Sequence, residues 1–223
     1  SFMTSPLVVK KVNEMVGGKD GQRFITSIIS AVSTNPALQD CNPNTILSSA
    51  MQGEALKLSP SPQLGHYYMV PFNNKKKGTK DAQFQIGYHG YIQLAIRSGQ
   101  YKKINVVAIK EGELIKYDPM DETIEVNLIQ DDALREKTPT TGYYAMFELV
   151  NGFRKTIYWS KAKMENHADT YSMAFNLEKY HQLQEGKIPQ NEMWKYSSYW
   201  YKNFDAMALK TMLRQLLSKW GIM

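Results

Sequence analysis

Alternating apolar and polar residues run through most of the chain between residues 64 and 160, and this period of two predicts β-strands. Aromatic and β-branched residues are frequent there, as they are in strands generally. The predicted strands are residues 66–72, 83–87, 102–110, 114–117, 123–129, 143–150 and 153–159. Asn151-Gly152 favours a tight type I′ turn between the last two. We expect the two clearest hairpins and the strand 102–110 to form one central, mostly antiparallel sheet.

Apolar residues spaced by three and four positions predict helices on both sides of the strand region. Residues 5–63 predict three helices, which start near Ser5-Pro6, Asp20 and Asn42-Pro43. The predicted buried stripe of the second helix is Phe24, Ile28, Ile29 and Val32. These helices carry no obvious chemistry, so we expect them to pack a core or to contact neighbouring subunits.

Two later helices pair an apolar stripe with a polar one. The helix 89–98 is expected to bury Tyr91, Ile92, Ala95 and Ile96. Its opposite stripe is His89, Gln93 and Arg97. The last helix starts at Ser197 or Ser198, ends at Gly221, and is expected to bury Ala206, Leu209, Leu213, Leu216 and Trp220. Its adjacent stripe is Asn203, Met207, Lys210 and Arg214.

These elements predict an α+β fold in which helices pack on one face of an antiparallel sheet. The predicted division is an N-terminal helical lobe, residues 1–63, followed by an α+β core, residues 64–223. Residues 131–141 are predicted to be a polar loop, and Ser160 is predicted to cap a short helix.

The charge of the chain is unevenly distributed. The whole chain carries +6 and residues 111–136 carry −7, so the remainder carries +13. A basic body predicts a polyanionic partner, either a nucleic acid or a membrane surface. No apolar run approaches the ~18 residues of a membrane span. We interpret the acids of residues 111–136 as a solvated outer edge.

The candidate binding residues are the two polar stripes together with basic residues of the strand region. The planar guanidinium of arginine suits phosphate, and aromatic residues between cations suit the bases of a single strand. The competing interpretation is an ordinary solvated face. The candidates are His89, Gln93, Arg97, Lys102, Lys103, Lys110, Arg154, Lys155, Lys161, Asn203, Lys210 and Arg214.

Several catalytic motifs are missing from the sequence. There is no G-x-x-x-x-G-K-[ST] run and no zinc-type histidine spacing, and Cys41 is the single cysteine, which excludes an intrachain disulfide. We therefore predict no catalytic residue, metal or cofactor. Two alternatives stay open: a metal-dependent phage nuclease that uses Asp118, Asp121 or Glu125, and an RNA-binding module.

One segment, GYHGYIQLAIRSGQ at residues 87–100, resembles the signature of the RecT family of phage-type single-strand DNA annealing proteins. GHYYMVPF at residues 65–72 and WYKNFDAMALKTMLRQLL at residues 200–217 are also similar to segments of that family. The similarity extends from about Asn44 to Trp220. His89 stands where many members have arginine or lysine, and Ile96 where many have a second arginine.

The resemblance implies ATP-independent binding and annealing of single-stranded DNA in phage-type homologous recombination, without a catalytic centre. It implies a strand held by its phosphates in a basic groove, and a compact strand-strand-strand-helix core. The implied partners are single-stranded DNA, the annealed duplex, further copies of the chain in a ring or helical filament, and a phage 5′–3′ exonuclease. The implied location is the cytoplasm of a bacterial host, without a membrane. Because the chain ends just past a helix, we expect a further C-terminal segment.

Overall fold

A computed structural model describes residues 6–222, apart from the side chains at positions 7, 11 and 18, and divides them into two compact units, residues 6–97 and 98–222. The predicted helix start at Ser5 lies outside the described residues. The predicted division after residue 63 falls inside the first unit, because the hairpin that follows it packs on the preceding helices. The roles assigned to the two predicted parts stay predictions.

The first unit places four helices before a hairpin and a fifth helix after it. Its elements are α1 (Pro6–Val16), α2 (Gly18–Ser33), α3 (Pro36–Gln39), α4 (Pro43–Ala55), β1 (Tyr67–Asn74), β2 (Thr79–Ile86) and α5 (Tyr88–Ser98). Asn42 caps α4 by accepting a hydrogen bond from the Asn44 amide, as the Asn-Pro pair predicts. The sequence analysis did not predict the short helix α3.

The core of the first unit lies between the helices and the hairpin. Its buried apolar residues include Phe24, Ile25 and Ile28 of α2 and Tyr67 and Met69 of β1. The prediction that Ile29 is buried is wrong, because α2 turns Ile25 inward and leaves Ile29 38% exposed. β1 and β2 pair in antiparallel register from Tyr67–Ile86 to Asn74–Thr79, without a shift.

The glycines of the segment 87–100 allow the start of α5 to pack closely against the chain that enters β1. A Cβ atom on Gly87 would overlap the carbonyl oxygen of Gly65, and one on Gly90 would overlap that of His66. The Gly87 amide also donates a hydrogen bond of 2.8 Å to the His66 carbonyl. Backbone therefore meets backbone here, which only glycine permits.

The second unit is a three-stranded sheet covered by helices. Its elements are β3 (Tyr101–Lys110), β4 (Leu114–Asp118), β5 (Thr123–Val126), α6 (Asp132–Lys137), β6 (Thr140–Leu149), β7 (Arg154–Ser160), α7 (Lys161–Tyr171), α8 (Leu177–Gln184), a 3₁₀ helix (Gln190–Tyr196), α9 (Tyr199–Lys202) and α10 (Phe204–Trp220). The strand order is β3-β6-β7, all antiparallel, and α7 and α10 both contact the sheet.

The α+β class with antiparallel sheets and packed helices is confirmed, but the prediction of one central sheet is wrong. The described strands form three separate sheets: β1–β2, β3-β6-β7 and β4–β5. The first pair belongs to its own unit with its own core, and the acidic segment inserts between β3 and β6 as a separate hairpin. Tyr143, Ala145, Phe147 and Leu149 are all buried, as their alternation on β6 predicts.

The prediction for the last helix is wrong in its start. Its predicted buried stripe is confirmed at Leu213 and Leu216 and wrong at Ala206 and Trp220. The chain breaks at Asn203, whose side chain accepts a hydrogen bond from the Ala206 amide and starts α10. Ala206 is exposed and Trp220 is 49% exposed, whereas Leu209 is half-buried. The buried residues of α10 are Phe204, Ala208, Met212, Leu213, Leu216 and Leu217.

Glu113 is fully buried, so the interpretation of all acids in residues 111–136 as a solvated edge is wrong. Its carboxylate accepts hydrogen bonds from the Arg135 guanidinium at 2.6 and 3.1 Å and from the amides of Lys110 and Ile129 at 2.8 and 3.0 Å. Arg135 also donates to the Ala108 carbonyl at 2.7 Å. This network explains why residues 131–141 contain the helix α6, where a loop was predicted: Asp131 caps α6 and Arg135 anchors it.

Among the described helices, none is both long enough and apolar enough to cross a membrane.

Candidate nucleic-acid interface

Cationic side chains of α7 and α10 surround His167 in the second unit. Burial lowers the pKa of His167, and the nearby charges of Lys219, Arg214 and Lys163 lower it further. Burial and the charge of Arg214 likewise lower the pKa of Lys210. These residues, together with the rings of Trp159 and Tyr171 that contact His167, are called the α7–α10 surface. Its members are Trp159, Lys163, His167, Tyr171, Lys210, Arg214 and Lys219.

The aromatic members of the α7–α10 surface form a short row. The ring of His167 lies 5.1 Å from that of Trp159 and 4.6 Å from that of Tyr171, and the Lys163 ammonium lies 4.7 Å above the Trp159 ring. Trp159 therefore packs on α7 while remaining partly accessible. Tyr171 is 76% exposed at the open end of the row. Cations beside exposed rings are the combination that single-stranded nucleic acids contact.

Arg214 is the most accessible of the predicted cations on α10. Its side chain is exposed, and within residues 6–222 its guanidinium takes part in no hydrogen bond or ion pair. Lys210, one turn earlier, is half-buried. The prediction that both residues bind a phosphate chain stays a prediction, and the structure provides Arg214 with the free donors that such a contact needs.

Lys110, Lys161 and Asn203 line a second cationic site in the same unit, which we call the Lys110 pocket. It is an open concavity of about 510 Å³. Its floor holds Asp205, which accepts hydrogen bonds from the Thr140 hydroxyl at 2.6 Å and the Tyr143 hydroxyl at 2.7 Å. The Lys110 ammonium donates to the Thr140 hydroxyl at 2.9 Å and lies 3.8 Å from Asp205. The charge of Lys110 is thus largely balanced inside the protein.

Ion pairs also balance two other predicted cations. Lys102 pairs with Glu148 at 2.7 Å. Lys155 pairs with Glu122 and lies 4.0 Å above the Trp220 ring. Lys103 and Arg154 are both exposed, and Lys102, Lys103 and Arg154 together lower the pKa of Glu148, with Lys102 contributing most. The net charge around Glu148 at this end of the sheet is therefore positive, since three cations lie near this carboxylate.

His89, Gln93 and Arg97 lie along the exposed side of α5, in the first unit. The prediction that Ile96 is buried is wrong, because the packed side of α5 is Gly90, Tyr91 and Ala95, and Ile96 is 64% exposed. The stripe Asn203, Lys210 and Arg214 belongs to the second unit. A groove shared by the two stripes therefore stays a prediction.

Although Arg97 is exposed, its side chain also makes hydrogen bonds within the protein. Its guanidinium donates to the carbonyls of Leu56 at 2.6 Å and Lys57 at 3.3 Å, and its Nε donates to that of Gln93 at 3.4 Å. Those first two carbonyls end α4, where Lys57 adopts a left-handed φ of 53°. Arg97 therefore satisfies acceptors that a helix C-terminus leaves open.

Arg97→Ala is expected to destabilise the first unit by about 1–2 kcal/mol, because the α4 carbonyls lose charged donors. All four tryptophans lie beyond residue 158, so urea unfolding followed by far-UV circular dichroism reports this change better than tryptophan fluorescence. Gln93→Ala, on the same exposed stripe, is the matched control and should leave stability unchanged. Equal stability of the two variants would show that the carbonyl contacts are not formed in solution.

The lowered pKa of His167 predicts that the stability of the fold depends on pH. Its folded pKa lies below the unfolded value of ~6.5, so the unfolded chain takes up the proton first and stability falls as the pH drops through that range. His167→Gln should remove this part of the pH dependence. The difference between wild type and variant in thermal denaturation isolates His167 from other histidines, and identical pH profiles would contradict the assignment.

The sequence analysis missed Lys163, His167, Tyr171 and Lys219 as binding candidates. The signal was available, since Lys163, His167 and Tyr171 are spaced by four on one predicted helix, as His89, Gln93 and Arg97 are on α5. The proximity of α10 to this row was not readable from the sequence.

The acidic residues of the nuclease alternative lie on the β4–β5 hairpin. Asp118 accepts hydrogen bonds from the amides of Met120 and Asp121, as in an ordinary turn, and Glu125 is exposed. Among the described residues, no three His, Cys, Asp or Glu side chains lie together in a group that could hold a metal ion.

The sequence profile of the RecT family matches residues 22–223. A Bacillus subtilis (strain 168) protein, described as the uncharacterized protein YqaK, is 42% identical over 222 residues, covering 100% of this chain and 66% of that protein. Protein RecT of Escherichia coli (strain K12) is 35% identical over 134 residues, covering 59% of this chain and 48% of that protein. The chain thus spans just under two thirds of the first relative and about half of the second.

Proposed function

Because the chain belongs to the RecT family, we propose that it binds single-stranded DNA and anneals complementary strands in homologous recombination, without ATP and without a catalytic centre. Family membership supports the activity. The observation that supports a location for it is the α7–α10 surface. There the exposed cations Lys163, Arg214 and Lys219, which have no acidic partner within residues 6–222, lie beside an accessible aromatic row.

The proposed mechanism uses phosphate contacts to position a strand. Arg214, Lys163 and Lys219 bind successive phosphates, and Tyr171 offers a ring on which a base can stack. None of these groups reads a base edge, so the protein leaves sequence recognition to base pairing with an incoming strand. The same contacts hold the annealed duplex through one of its strands.

The remaining predicted residues extend this proposal. Lys103 and Arg154 continue the positive surface at the end of the sheet, and His89 and Gln93 supply polar contacts from α5. Lys102, Lys110 and Lys155 act mainly through the positions that they hold in the fold, since each is engaged within the protein. Asn203 uses its side-chain oxygen to cap α10. Assembly into a ring or filament through the N-terminal helices, cooperation with a phage 5′–3′ exonuclease and action in a bacterial cytoplasm belong to the same proposal.

An annealing assay with complementary labelled oligonucleotides, with and without ATP, tests the function. We expect annealing in both cases, and a linear fall of log affinity for a poly-dT strand with log salt concentration, because phosphate binding releases counterions. A salt-independent affinity would contradict the mechanism. Cleavage of the DNA in Mg²⁺ would instead support the nuclease alternative, and preferential binding of poly-U would support an RNA-binding module.

A further inference from the structure

The Lys110 pocket is a second site in this unit at which cationic and aromatic side chains lie together. It shares no lining residue with the α7–α10 surface. The lining residues on which the argument depends are Lys137, Lys161, Tyr201, Lys202, Asn203 and Asp205. Its volume of about 510 Å³ is within the ~300–1,000 Å³ range of small-molecule sites.

The cations of the pocket are arranged for an anion. Among the described residues, Lys137, Lys161 and Lys202 have no acidic partner, whereas Lys110 is held by the floor of the pocket. The carboxylate of Asp205 already accepts two hydrogen bonds from hydroxyl groups and faces Lys110. Glu136, an exposed acid, also lines the pocket, so the three lysines leave a net positive charge that a bound phosphate can balance.

An aromatic wall stands beside these lysines. The rings of Tyr180 and Phe204 stack with centroids 5.0 Å apart, and the Lys161 ammonium lies 5.8 Å from the Phe204 ring. Tyr201 is partly exposed, and its hydroxyl is held by the Asn176 amide at 2.8 Å, which fixes the ring. Tyr180 and Phe204 are buried, so Tyr201 is the accessible ring of this wall, and a planar base can pack against it.

Asn203 supplies polar groups at the pocket rim. Its side-chain oxygen caps α10 through the Ala206 amide, which leaves the side-chain NH₂ directed away from that bond and accessible. An amide donor in a pocket that Gln184 also lines suits the carbonyl edge of a pyrimidine. The positive end of the 17-residue helix α10 adds to the attraction for an anion.

We propose that the Lys110 pocket binds a single nucleotide, with its phosphate at Lys137, Lys161 and Lys202 and its base against the accessible ring of Tyr201. This goes beyond the proposed function, in which a strand is bound along the α7–α10 surface and no second site takes up a nucleotide. The nucleotide can be one unit turned out of a bound strand or a free mononucleotide, since both present the same phosphate and base.

Isothermal titration of the full chain with dTMP, in the absence of any oligonucleotide, tests the proposal independently of annealing. We expect dTMP to bind roughly tenfold or more tightly than either thymidine or inorganic phosphate, because each lacks one half of the contacts. Binding of phosphate as tight as that of dTMP would overturn the nucleotide assignment in favour of a simple anion site. No binding of dTMP would overturn it altogether.

Two variants locate the site: Lys137→Ala and Lys161→Ala. The matched control is Lys187→Ala, because Lys187 is exposed and lies outside the pocket. We expect each pocket variant to weaken dTMP binding by roughly tenfold and the control to leave it unchanged. Since Lys137 is exposed, a folded Lys137→Ala variant is expected even if Lys161→Ala is less stable. Wild-type affinity in a folded Lys137→Ala variant would place the nucleotide elsewhere.

Competition identifies the source of the nucleotide. If poly-dT displaces dTMP in wild type but not when the oligonucleotide carries abasic units, the pocket takes a base from the strand, which supports the proposal. If poly-dT binds without displacing dTMP, the pocket takes a free nucleotide, which also supports it. Displacement by abasic and normal strands alike would overturn the role of the base.

Discussion

Glu113→Ala will destabilise the second unit by about 3–5 kcal/mol, because it removes one partner of a buried ion pair. The variant leaves the Arg135 guanidinium and the amides of Lys110 and Ile129 without their acceptor. Burial alone would raise the pKa of Glu113, but the hydrogen bonds from Arg135 and the two amides hold it below its usual value. The ionised carboxylate is therefore the stabilising form, and its contribution will be lost as the pH falls through the folded pKa.

Chemical denaturation followed by tryptophan fluorescence measures this loss, since all four tryptophans lie in the second unit. Glu125→Ala is the matched control: Glu125 is an exposed acid of the same segment, on β5, and its removal should change stability by less than about 0.5 kcal/mol. Glu113→Gln keeps the shape and removes the charge, so it should retain only part of the stability. Equal stability of Glu113→Ala and Glu125→Ala would show that the buried pair is not formed.

Local patterns predicted most strands and helices of this chain because each pattern is decided by neighbours in sequence. The alternation on β6, the Asn-Gly turn and the Asn-Pro start of α4 all belong to this class. Glu113 does not, since it is one of nine acids in its segment and its burial depends on Arg135, 22 residues later. The start of the last helix failed for a related reason: Asn203 divides the predicted helix into α9 and α10, and the apolar spacing does not reveal such a break.

The sequence predicted which types of residue form the candidate site better than it predicted their contacts. Helical spacing correctly placed His89, Gln93 and Arg97 on an exposed side of α5. It could not show that Arg97 donates to carbonyls about 40 residues earlier, or that Lys102 and Lys155 are paired with acids on other strands and turns. A cation's value for binding depends on whether the fold already neutralises it, and tertiary contacts decide that.

Arg214→Ala is expected to weaken binding of a poly-dT strand by roughly 10- to 100-fold, the equivalent of about 1.5–3 kcal/mol for one charge-assisted phosphate contact. Stability should change by less than about 0.5 kcal/mol, because the side chain is exposed and makes no hydrogen bond or ion pair within residues 6–222. The annealing rate should fall with the affinity. The slope of log affinity against log salt should decrease by about one, as for a single lost phosphate contact.

Fluorescence anisotropy with a labelled oligonucleotide measures affinity and salt slope together. Lys187→Ala removes the same charge from an exposed site outside the candidate DNA-binding residues and the N-terminal helices, and it should leave both quantities nearly unchanged. Arg214→Lys keeps the charge and loses the planar fork, so it should fall between wild type and Arg214→Ala. If a folded Arg214→Ala variant binds and anneals with the wild-type affinity, rate and salt slope, α10 does not contact the strand, and the α7–α10 surface is not the DNA-binding site.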